Sequence, residues 1–240
     1  TSALAEKVIV NPAGDVVFSD TNVYIQNGTA ATDEVNGKGN LIVGYSAPVG
    51  GDVRDGSHNL IIGDGHSFSG HSGLAVGQRH TLSADFAVAA GGYGHQIGGE
   101  YGVAVGGQYN VTNGTYGSVV GGGFGLASGA SSSVFGGSEN TSTALFSSIV
   151  GGRLNVASGD YATVAGGEMA TVEADSRTVT GGIVMVEDGS ASAAVLAELD
   201  AVVTTVTASI DALVATVDGD HAPRLDALEE QATVHDAALA

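Results

Sequence analysis

Several residue types are absent or scarce in this chain, and each absence excludes a class of structure or chemistry. With no cysteine, there is no disulfide framework, no thiol nucleophile and no thiolate metal site. No run of about 20 apolar residues occurs, so the sequence predicts no membrane-spanning helix. Tryptophan is absent and aromatic residues make up only 5% of the chain, so small side chains must fill a narrow and regular interior.

Basic residues are also scarce, with 7 Lys and Arg against 26 Asp and Glu, which gives a net charge of -19. Nucleic acids and anionic lipids both bind through Lys and Arg, so the charge balance argues against both as partners. A solvated acidic surface that favours solubility is the preferred interpretation. Attraction of divalent cations, or adaptation to a salty habitat, is the alternative.

Glycine is abundant, with 39 residues, and its spacing is regular. Seven glycines lie 15 residues apart, each preceded by a mostly apolar triplet and followed by a second glycine: Gly91, Gly106, Gly121, Gly136, Gly151, Gly166 and Gly181. Gly77, Gly63 and Gly44 extend the series towards the N-terminus with gaps of 14, 14 and 19 residues. We call these ten residues the periodic glycines. A fixed period of this kind predicts a stacked repeat.

The residues before the periodic glycines define two faces of a predicted strand, because neighbouring strand residues point in opposite directions. The residue two positions before is always aliphatic: Ile42, Ile61, Ala75, Ala89, Ala104, Val119, Val134, Ile149, Val164 and Val179. The residue one position before is apolar in nine cases of ten: Val43, Ile62, Val76, Ala90, Val105, Val120, Phe135, Val150 and Ala165, with Thr180 as the exception. We expect the first set to face a dry interior and the second set to pack against sister chains.

Each repeat also contains a second short strand and a further turn, so 14–15 residues make one rung of a parallel β-roll or β-solenoid. Ten rungs at a strand spacing of about 4.8 Å would form a stack roughly 48 Å long. Residues 40–182 are predicted to form this head. Residues 1–39, with short strands at 16–18 and 23–25, are predicted to form a lead-in that caps the first rung.

Residues 183–240 have a different pattern and are predicted to form a coiled-coil stalk, with Ser190 as the helix cap. Apolar residues alternate spacings of 3 and 4 over three heptads: Leu196, Leu199, Val203, Val206, Ile210, Leu213 and Val217. Residues 202–207 are poor helix formers, so we expect the helix to persist because partner helices pack against it. Gly219 and Pro223 predict a break near 219–223.

A glycine-punctuated β-roll followed by a coiled coil resembles the trimeric autotransporter adhesins, with a YadA-like head and stalk. Leu74-Ala75-Val76-Gly77 and Val103-Ala104-Val105-Gly106 come closest to the head repeat of that family. The resemblance implies a homotrimer of left-handed parallel β-rolls that leads into a trimeric coiled coil. It also implies an outer-membrane-associated fibre at the cell surface or outside the cell.

The sequence therefore favours a structural or adhesive section of a homotrimeric fibre that mediates attachment or display. A bacteriophage tail fibre or spike that binds a receptor is the alternative, and a polysaccharide-degrading enzyme is the third possibility. The expected ligand is a host-cell, prey-cell or polysaccharide surface, bound along the repeats or at the long insertion 45–58. With no leader visible at Thr1 and a helical pattern that is still running at Ala240, we expect the chain to be a fragment.

Candidate residues for chemistry are few. His66, His71, His80 and His95 lie within 30 residues and could hold zinc, but their spacing matches no metal motif, so we expect histidines of the surface or of turns. Gly63-Asp64-Gly65 and residues 52–55 hint at calcium, yet acidic residues do not recur with the period. The carboxylates that a glycosidase would need are scattered: Asp85, Glu100, Glu139, Asp160, Glu168, Glu173 and Asp175. We therefore predict no enzyme activity, no small-molecule substrate, no cofactor, and no catalytic, cofactor-binding or metal residues.

One aromatic set recurs ten residues after periodic glycines: Tyr101, Tyr116, Phe146 and Tyr161. Such a set forms either a buried stack, with one ring per rung filling a corner of the roll, or an exposed ladder on which sugars could stack. The buried stack is the interpretation that the sequence favours.

Overall fold

Short strands recur throughout the first of two compact units, Thr1–Glu187 and Asp188–Ala240, into which the chain divides. The computed structural model describes residues 7–181, 183–186 and 200–212. Near the N-terminus, β1 (Val8–Val10) and β2 (Val16–Phe18) form an antiparallel pair. The strand predicted at 16–18 is therefore confirmed, whereas the one predicted at 23–25 is wrong, because those residues run without strand pairing.

Parallel strands of two lengths alternate along the rest of the first unit. The larger sheet contains β3 (Leu41–Val43), β4 (Leu60–Asp64), β6 (Leu74–Gln78), β8 (Val88–Tyr93), β10 (Val103–Val105), β12 (Ser118–Val120), β14 (Ser133–Phe135), β16 (Ser148–Ile149), β18 (Thr163–Gly166) and β20 (Arg177–Thr180). The smaller sheet contains β5 (Ser67–Phe68), β7 (Thr81–Leu82), β9 (Gln96–Ile97), β11 (Val111–Thr112), β13 (Leu126–Ala127), β15 (Thr141–Ser142), β17 (Val156–Ala157) and β19 (Thr171–Val172). The last strand, β21 (Ile183–Val186), pairs antiparallel with β20.

The register follows the repeat period. Ala104 pairs with Val119, and Val119 pairs with Val134, so equivalent residues of successive repeats lie side by side. The result is a parallel β-solenoid of about nine turns, close to the ten predicted rungs. Strand β21 lies within residues 183–240, beyond the predicted end of the head at 182, and it continues the larger sheet with reversed direction.

The interior of the solenoid is lined as the aliphatic pattern predicts. Nine of the ten residues that stand two positions before a periodic glycine are buried. Ile42 is the exception at 47% exposed, so its predicted interior position is wrong. The smaller sheet begins at β5, so among the described residues no short strand lies opposite Ile42 in β3.

Side-chain volume is shared between the two strands of a turn. Where the long strand carries a small residue the short strand carries a large one, as in the turn that buries Ala75 and Leu82. The relation is reversed in later turns, where Ile149 is buried together with Ala157. Ala89 with Ile97 and Val119 with Ala127 follow the same rule. In these turns the exchange keeps the interior volume similar at native packing density, whereas the first turn with two strands buries two large residues, Ile61 and Phe68.

The lead-in binds the first turn along one side. The N–H of Gly37 donates to the carbonyl of Asp55 at 2.7 Å. The N–H of Asn36 donates to Oγ of Ser57 at 2.9 Å, and that of Asn27 donates to Nε2 of His58 at 3.3 Å. The lead-in therefore covers residues 55–58, while the side chains of β3 stay exposed.

Two consecutive glycines are needed in a turn for different reasons. Gly121 has φ +72°, and an added Cβ would meet no atom within 4 Å, so its backbone conformation is what requires glycine. Gly122 has φ +70°, but here a Cβ would also collide with the carbonyl oxygen of Gly137 in the next turn. The second glycine is therefore what allows successive turns to approach each other closely.

Replacing Gly122 with alanine should lower the free energy of unfolding by about 2 to 5 kcal/mol. Left-handed strain contributes about 1 to 3 kcal/mol of this and overpacking against Gly137 a similar amount. Gly123→Ala is the matched control, because its Cβ would lie 3.5 Å from Cγ of Gln108, an ordinary contact. Urea denaturation followed by circular dichroism measures both. Equal losses for the two variants would contradict the close approach at Gly122.

The second unit is described by a helix at 200–212, all of it exposed. The hydroxyls of Thr204, Thr205 and Thr207 each donate to the carbonyl four residues earlier at 2.8–2.9 Å, so this β-branched run satisfies its polar groups within the helix. Within the described residues, no helix is long and apolar enough to cross a membrane. The predicted cap at Ser190, the break near 219–223 and four heptad positions (Leu196, Leu199, Leu213, Val217) lie outside those residues.

Candidate functional site

One corner of the solenoid carries a column of aromatic side chains, which we call the aromatic ladder: Phe86, Tyr101, Tyr116, Phe146 and Tyr161. Every member has a left-handed backbone, with φ between +53° and +59°. Such a conformation is uncommon outside glycine. Here hydrogen bonds between turns hold it, since the N–H of Tyr116 donates to the carbonyl of Glu100 at 2.9 Å and that of Tyr161 to Leu145 at 2.8 Å.

The rings of the aromatic ladder stack on one another along the solenoid. Their centroids lie 4.8 Å apart for Phe86 and Tyr101, 4.9 Å for Tyr101 and Tyr116, and 5.2 Å for Phe146 and Tyr161. All five rings are exposed. The predicted buried stack is therefore wrong, because the left-handed corner directs these side chains outwards. Partial desolvation raises the pKa of Tyr101, and the nearby Glu100 carboxylate adds to this shift.

A second aromatic group lies at the other corner of the turn, with Tyr109 and Phe124 three residues after a periodic glycine and Tyr93 two residues after Gly91. The rings of Tyr109 and Phe124 stack at 5.2 Å, and Tyr93 meets Tyr109 edge-on at 5.3 Å. A hydrogen bond with Tyr93 raises the pKa of Tyr109. Tyr93, Gln108, Phe124 and the neighbouring glycines line an open groove of about 520 Å³. The sequence analysis missed this group because Glu139, Leu154 and Met169 hold the same position in later turns.

Three of the four clustered histidines form a column inside the solenoid. His66, His80 and His95 are fully buried, and their rings stack with centroids 5.2 and 4.8 Å apart. The prediction that these histidines lie on the surface or in exposed turns is therefore wrong. His71 lies outside the column, where its ring meets Phe86 edge-on at 5.0 Å.

Each buried histidine links its own turn to the next. Nδ1 of His66 accepts the backbone N–H of His80 at 3.2 Å, and Nδ1 of His80 accepts that of His95 at 3.1 Å. Nε2 of His66 donates to the carbonyl of Ile62 at 3.2 Å and Nε2 of His80 to that of Val76 at 3.0 Å. A ring nitrogen that accepts a backbone N–H carries no proton, so this pattern requires the neutral imidazole.

Asparagine takes over the same position in later turns. Nδ1 of His95 accepts the N–H of Asn110 at 3.2 Å, and Oδ1 of Asn110 accepts that of Gly125 at 2.9 Å. Nδ2 of Asn110 donates to the carbonyl of Gly121 at 3.0 Å. We call this set the buried polar column: His66, His80, His95, Asn110, Asn140 and Asn155. An imidazole and an amide are interchangeable here because each offers one acceptor and one donor in the same directions.

The electrostatics of the column agree with a neutral state. Burial, together with the positive charges that His95 and His66 would carry, lowers the pKa of His80 to about 4. Burial also lowers the pKa of His66 and of His95. Among the described residues, no group of three or more His, Cys, Asp or Glu side chains is arranged to hold a metal ion. In all three histidines it is Nδ1 that joins one turn to the next.

The column makes stability depend on pH. The folded pKa of His80, about 4, lies below its ordinary value of 6.5, so between these values the unfolded chain binds a proton that the folded chain does not. The free energy of unfolding should therefore be full above pH 6.5 and fall as pH drops towards 4, by about 3 kcal/mol from this residue alone.

His80→Asn should flatten that dependence, because asparagine makes the same hydrogen bonds in later turns without titrating. Asn110→His, which adds a titratable member at the next position of the column, is the reciprocal variant and should make the slope steeper. Comparison of the three proteins by urea denaturation at pH 7, 5.5 and 4 cancels the contribution of the carboxylates. A slope that His80→Asn leaves unchanged would show that the column does not titrate in this range.

Several of the carboxylates considered for glycoside hydrolysis form hydrogen bonds or ion pairs with other residues of the surface. Oδ1 of Asp85 accepts the N–H of His71 at 3.0 Å, and Oδ1 of Asp160 accepts that of Leu145 at 3.1 Å. Arg153 lies between Glu139, at 4.0 Å, and Glu168, at 3.1 Å. These carboxylates connect neighbouring turns along the surface.

The acidic residues suspected of binding calcium fix the insertion 45–58. Oδ2 of Asp52 accepts the N–H of Val49 at 2.8 Å and pairs with Arg54 at 3.3 Å. Arg54 also donates to the carbonyl of Ser46 at 2.6 Å, and Oδ1 of Asp64 accepts the N–H of Ala47 at 3.0 Å. The insertion is thus closed by its own charged groups and leaves Tyr45 exposed.

The outer face of the larger sheet presents an apolar row, made of the residues that directly precede the periodic glycines. Val105, Val120, Phe135 and Val150 are exposed there, while Ile62, Val76 and Ala90 are half-buried. Among the described residues, no strand or helix covers the exposed part of this row. Comparison of the chain with protein-family models, with curated proteins and with solved structures finds no match.

Proposed function

We propose that the chain is a structural and adhesive section of a homotrimeric fibre at the cell surface or outside the cell. Three left-handed parallel β-solenoids lie side by side and lead into a trimeric coiled coil, and the fibre mediates attachment or display. The observation that carries the proposal is the apolar row, in which Val105, Val120, Phe135 and Val150 are exposed in the single chain.

A partner that covers the apolar row must have the same periodicity as the row. A contiguous exposed apolar patch is unusual on a monomeric protein and marks an interaction site. Val105, Val120 and Phe135 occupy equivalent positions of successive turns, so they recur at the strand spacing of about 4.8 Å. A partner can match that interval over many turns only if it has the same rise, and another copy of this chain has it.

The next position along the strand supports copies that lie parallel and in register. Three residues before the periodic glycine, the chain has Leu60 and Leu74 in early turns but Ser133 and Ser148 in later ones. Parallel copies place apolar residues beside apolar ones at one end and hydroxyls beside hydroxyls at the other. Antiparallel copies would place leucine beside serine.

The helix at 200–212 also exposes apolar residues that a partner could cover. Val203, Val206 and Ile210 continue the heptad spacing, and all three are exposed in the single chain. Partner helices would cover these residues, and three-stranded packing is what the resemblance to trimeric adhesins implies. The two units thus support the same assembly independently.

The mass in solution tests the assembly. By light scattering the unaltered chain should have three times its 23.6 kDa monomer mass. Val120→Asp should dissociate the heads, because it places one carboxylate from each of three copies in the apolar row, where the charges lose water and repel one another. Since Val120 is exposed in the single chain, the far-ultraviolet circular dichroism should be retained.

Two controls separate assembly from folding. Thr115→Asp adds the same charge at an exposed position that holds Asp85 and Asp160 in other turns, so the mass should not change. Val134→Asp places a carboxylate in the buried interior and should unfold the solenoid. A monomeric unaltered chain would contradict the proposal, and a Val120→Asp variant that assembles normally would show that the row is not the interface.

A further inference from the structure

The aromatic ladder is interrupted at one place. Ser131 holds the ladder position in the turn between Tyr116 and Phe146, and its φ of +55° is that of its aromatic neighbours. The backbone therefore continues through this turn unchanged while the ring is missing. The interruption leaves a gap between two rings, which we call the slot.

Hydrogen bonds on both sides of the slot fix its width. The N–H of Ser131 donates to the carbonyl of Thr115 at 2.8 Å, and the N–H of Phe146 donates to that of Ala130 at 3.0 Å. These are the same bonds that hold the intact part of the aromatic ladder. The rings of Tyr116 and Phe146 thus lie two turns apart, or about 9.6 Å at the usual strand spacing.

The two walls of the slot have one free face each. Tyr116 stacks on Tyr101 at 4.9 Å, and Phe146 stacks on Tyr161 at 5.2 Å, so in each case the other face is turned to the slot. Exposure reflects this, since Tyr101, with rings on both sides, is 39% exposed, whereas Tyr116 is 60% and Phe146 is 49% exposed. A guest in the slot would cover both free faces.

The residues that precede the ladder positions in the three turns around the slot carry no charge, although the carboxylate of Asp160 in the next turn accepts the N–H of Leu145. Thr115, Ala130 and Leu145 precede the ladder positions in these three turns. In the other turns of the aromatic ladder, carboxylates hold that position: Asp85, Glu100 and Asp160. On a chain with a net charge of -19, the slot is a neutral stretch that also offers the hydroxyls of Thr115 and Ser131. This environment suits a neutral ligand with hydrogen-bonding groups at its rim.

We propose that the slot binds one neutral pyranose ring of a glycan, held between the rings of Tyr116 and Phe146. Carbon atoms make contact at about 3.5 to 4.0 Å, so a flat ring midway between walls about 9.6 Å apart would leave space on both sides. A puckered sugar ring fills that space with C–H groups on both faces, and its hydroxyls reach Thr115, Ser131 and water. The inference gives the proposed fibre a ligand class, and its role in adhesion rests on the proposed function.

Filling the slot is the sharpest test. Ser131→Tyr inserts the side chain that neighbouring turns carry on the same backbone, so this variant should fold and should block the slot. Ser176→Tyr is the matched control, because Ser176 also has φ +55° and follows Tyr161 in the ladder column, but it does not lie between two rings. Tyr116→Ala removes one wall and should weaken binding about fivefold, the equivalent of one aromatic contact.

The probes are cellotetraose, maltotetraose and chitotetraose, with an anionic hyaluronan tetrasaccharide and an N-acetyl tryptophan amide peptide for comparison. Saturation-transfer NMR and calorimetry measure binding to the full chain and to each variant. We expect at least one neutral tetrasaccharide to bind, with binding lost in Ser131→Tyr and retained in Ser176→Tyr. Light scattering should give the same mass for all variants.

Four results would overturn the slot: no neutral probe binds, Ser131→Tyr binds as well as the unaltered chain, the tryptophan peptide alone competes for the site, or Ser131→Tyr changes the mass. The last would place the aromatic ladder in the subunit interface. If the unaltered chain is monomeric yet binds sugar through the slot, the slot is supported and the trimeric fibre is refuted, so the two proposals fail separately.

Discussion

The structure depends on one constraint, the fixed distance between successive turns. Parallel hydrogen bonds set it in both sheets and at the corners, as in the 2.8 Å bond from the N–H of Leu126 to the carbonyl of Asn140. Equivalent residues of successive turns therefore lie at that distance from each other. Rings then lie close enough to stack, the polar groups of one turn reach the backbone of the next, and a Cβ at Gly122 has no room.

Inside and outside respond to this constraint in opposite ways. In several turns the interior exchanges large and small residues between its two strands, and the buried polar column exchanges histidine for asparagine while its acceptor still takes a backbone N–H of the next turn. The surface is free to vary. The aromatic ladder gives way to Ser131, and the second corner changes from Tyr109 to Glu139. The residues on the surface can therefore change while the backbone stays constant.

The period, the two strands of each turn and nearly all of the interior aliphatic positions could be predicted, because glycine spacing and strand alternation are local rules. The buried histidines could not, since the gaps around Gly77 and Gly91 differ by one residue and hide their common position relative to the second glycine. Exposure of Tyr116 could not either, because a left-handed φ outside glycine decides the direction of the side chain and leaves no mark in composition. The predicted burial of Ile42 is wrong because it depends on a short strand opposite β3, and the smaller sheet begins only at β5.

The order of residues in the buried polar column gives the solenoid a chemical direction. Its titratable members, His66, His80 and His95, all stand in the early turns, and the later ones, from Asn110 onwards, carry no proton to gain. A fall in pH therefore destabilises the N-terminal turns of a structure whose backbone is uniform. At low pH the solenoid would unfold first at its N-terminal turns, while the later turns that carry asparagine would stay folded.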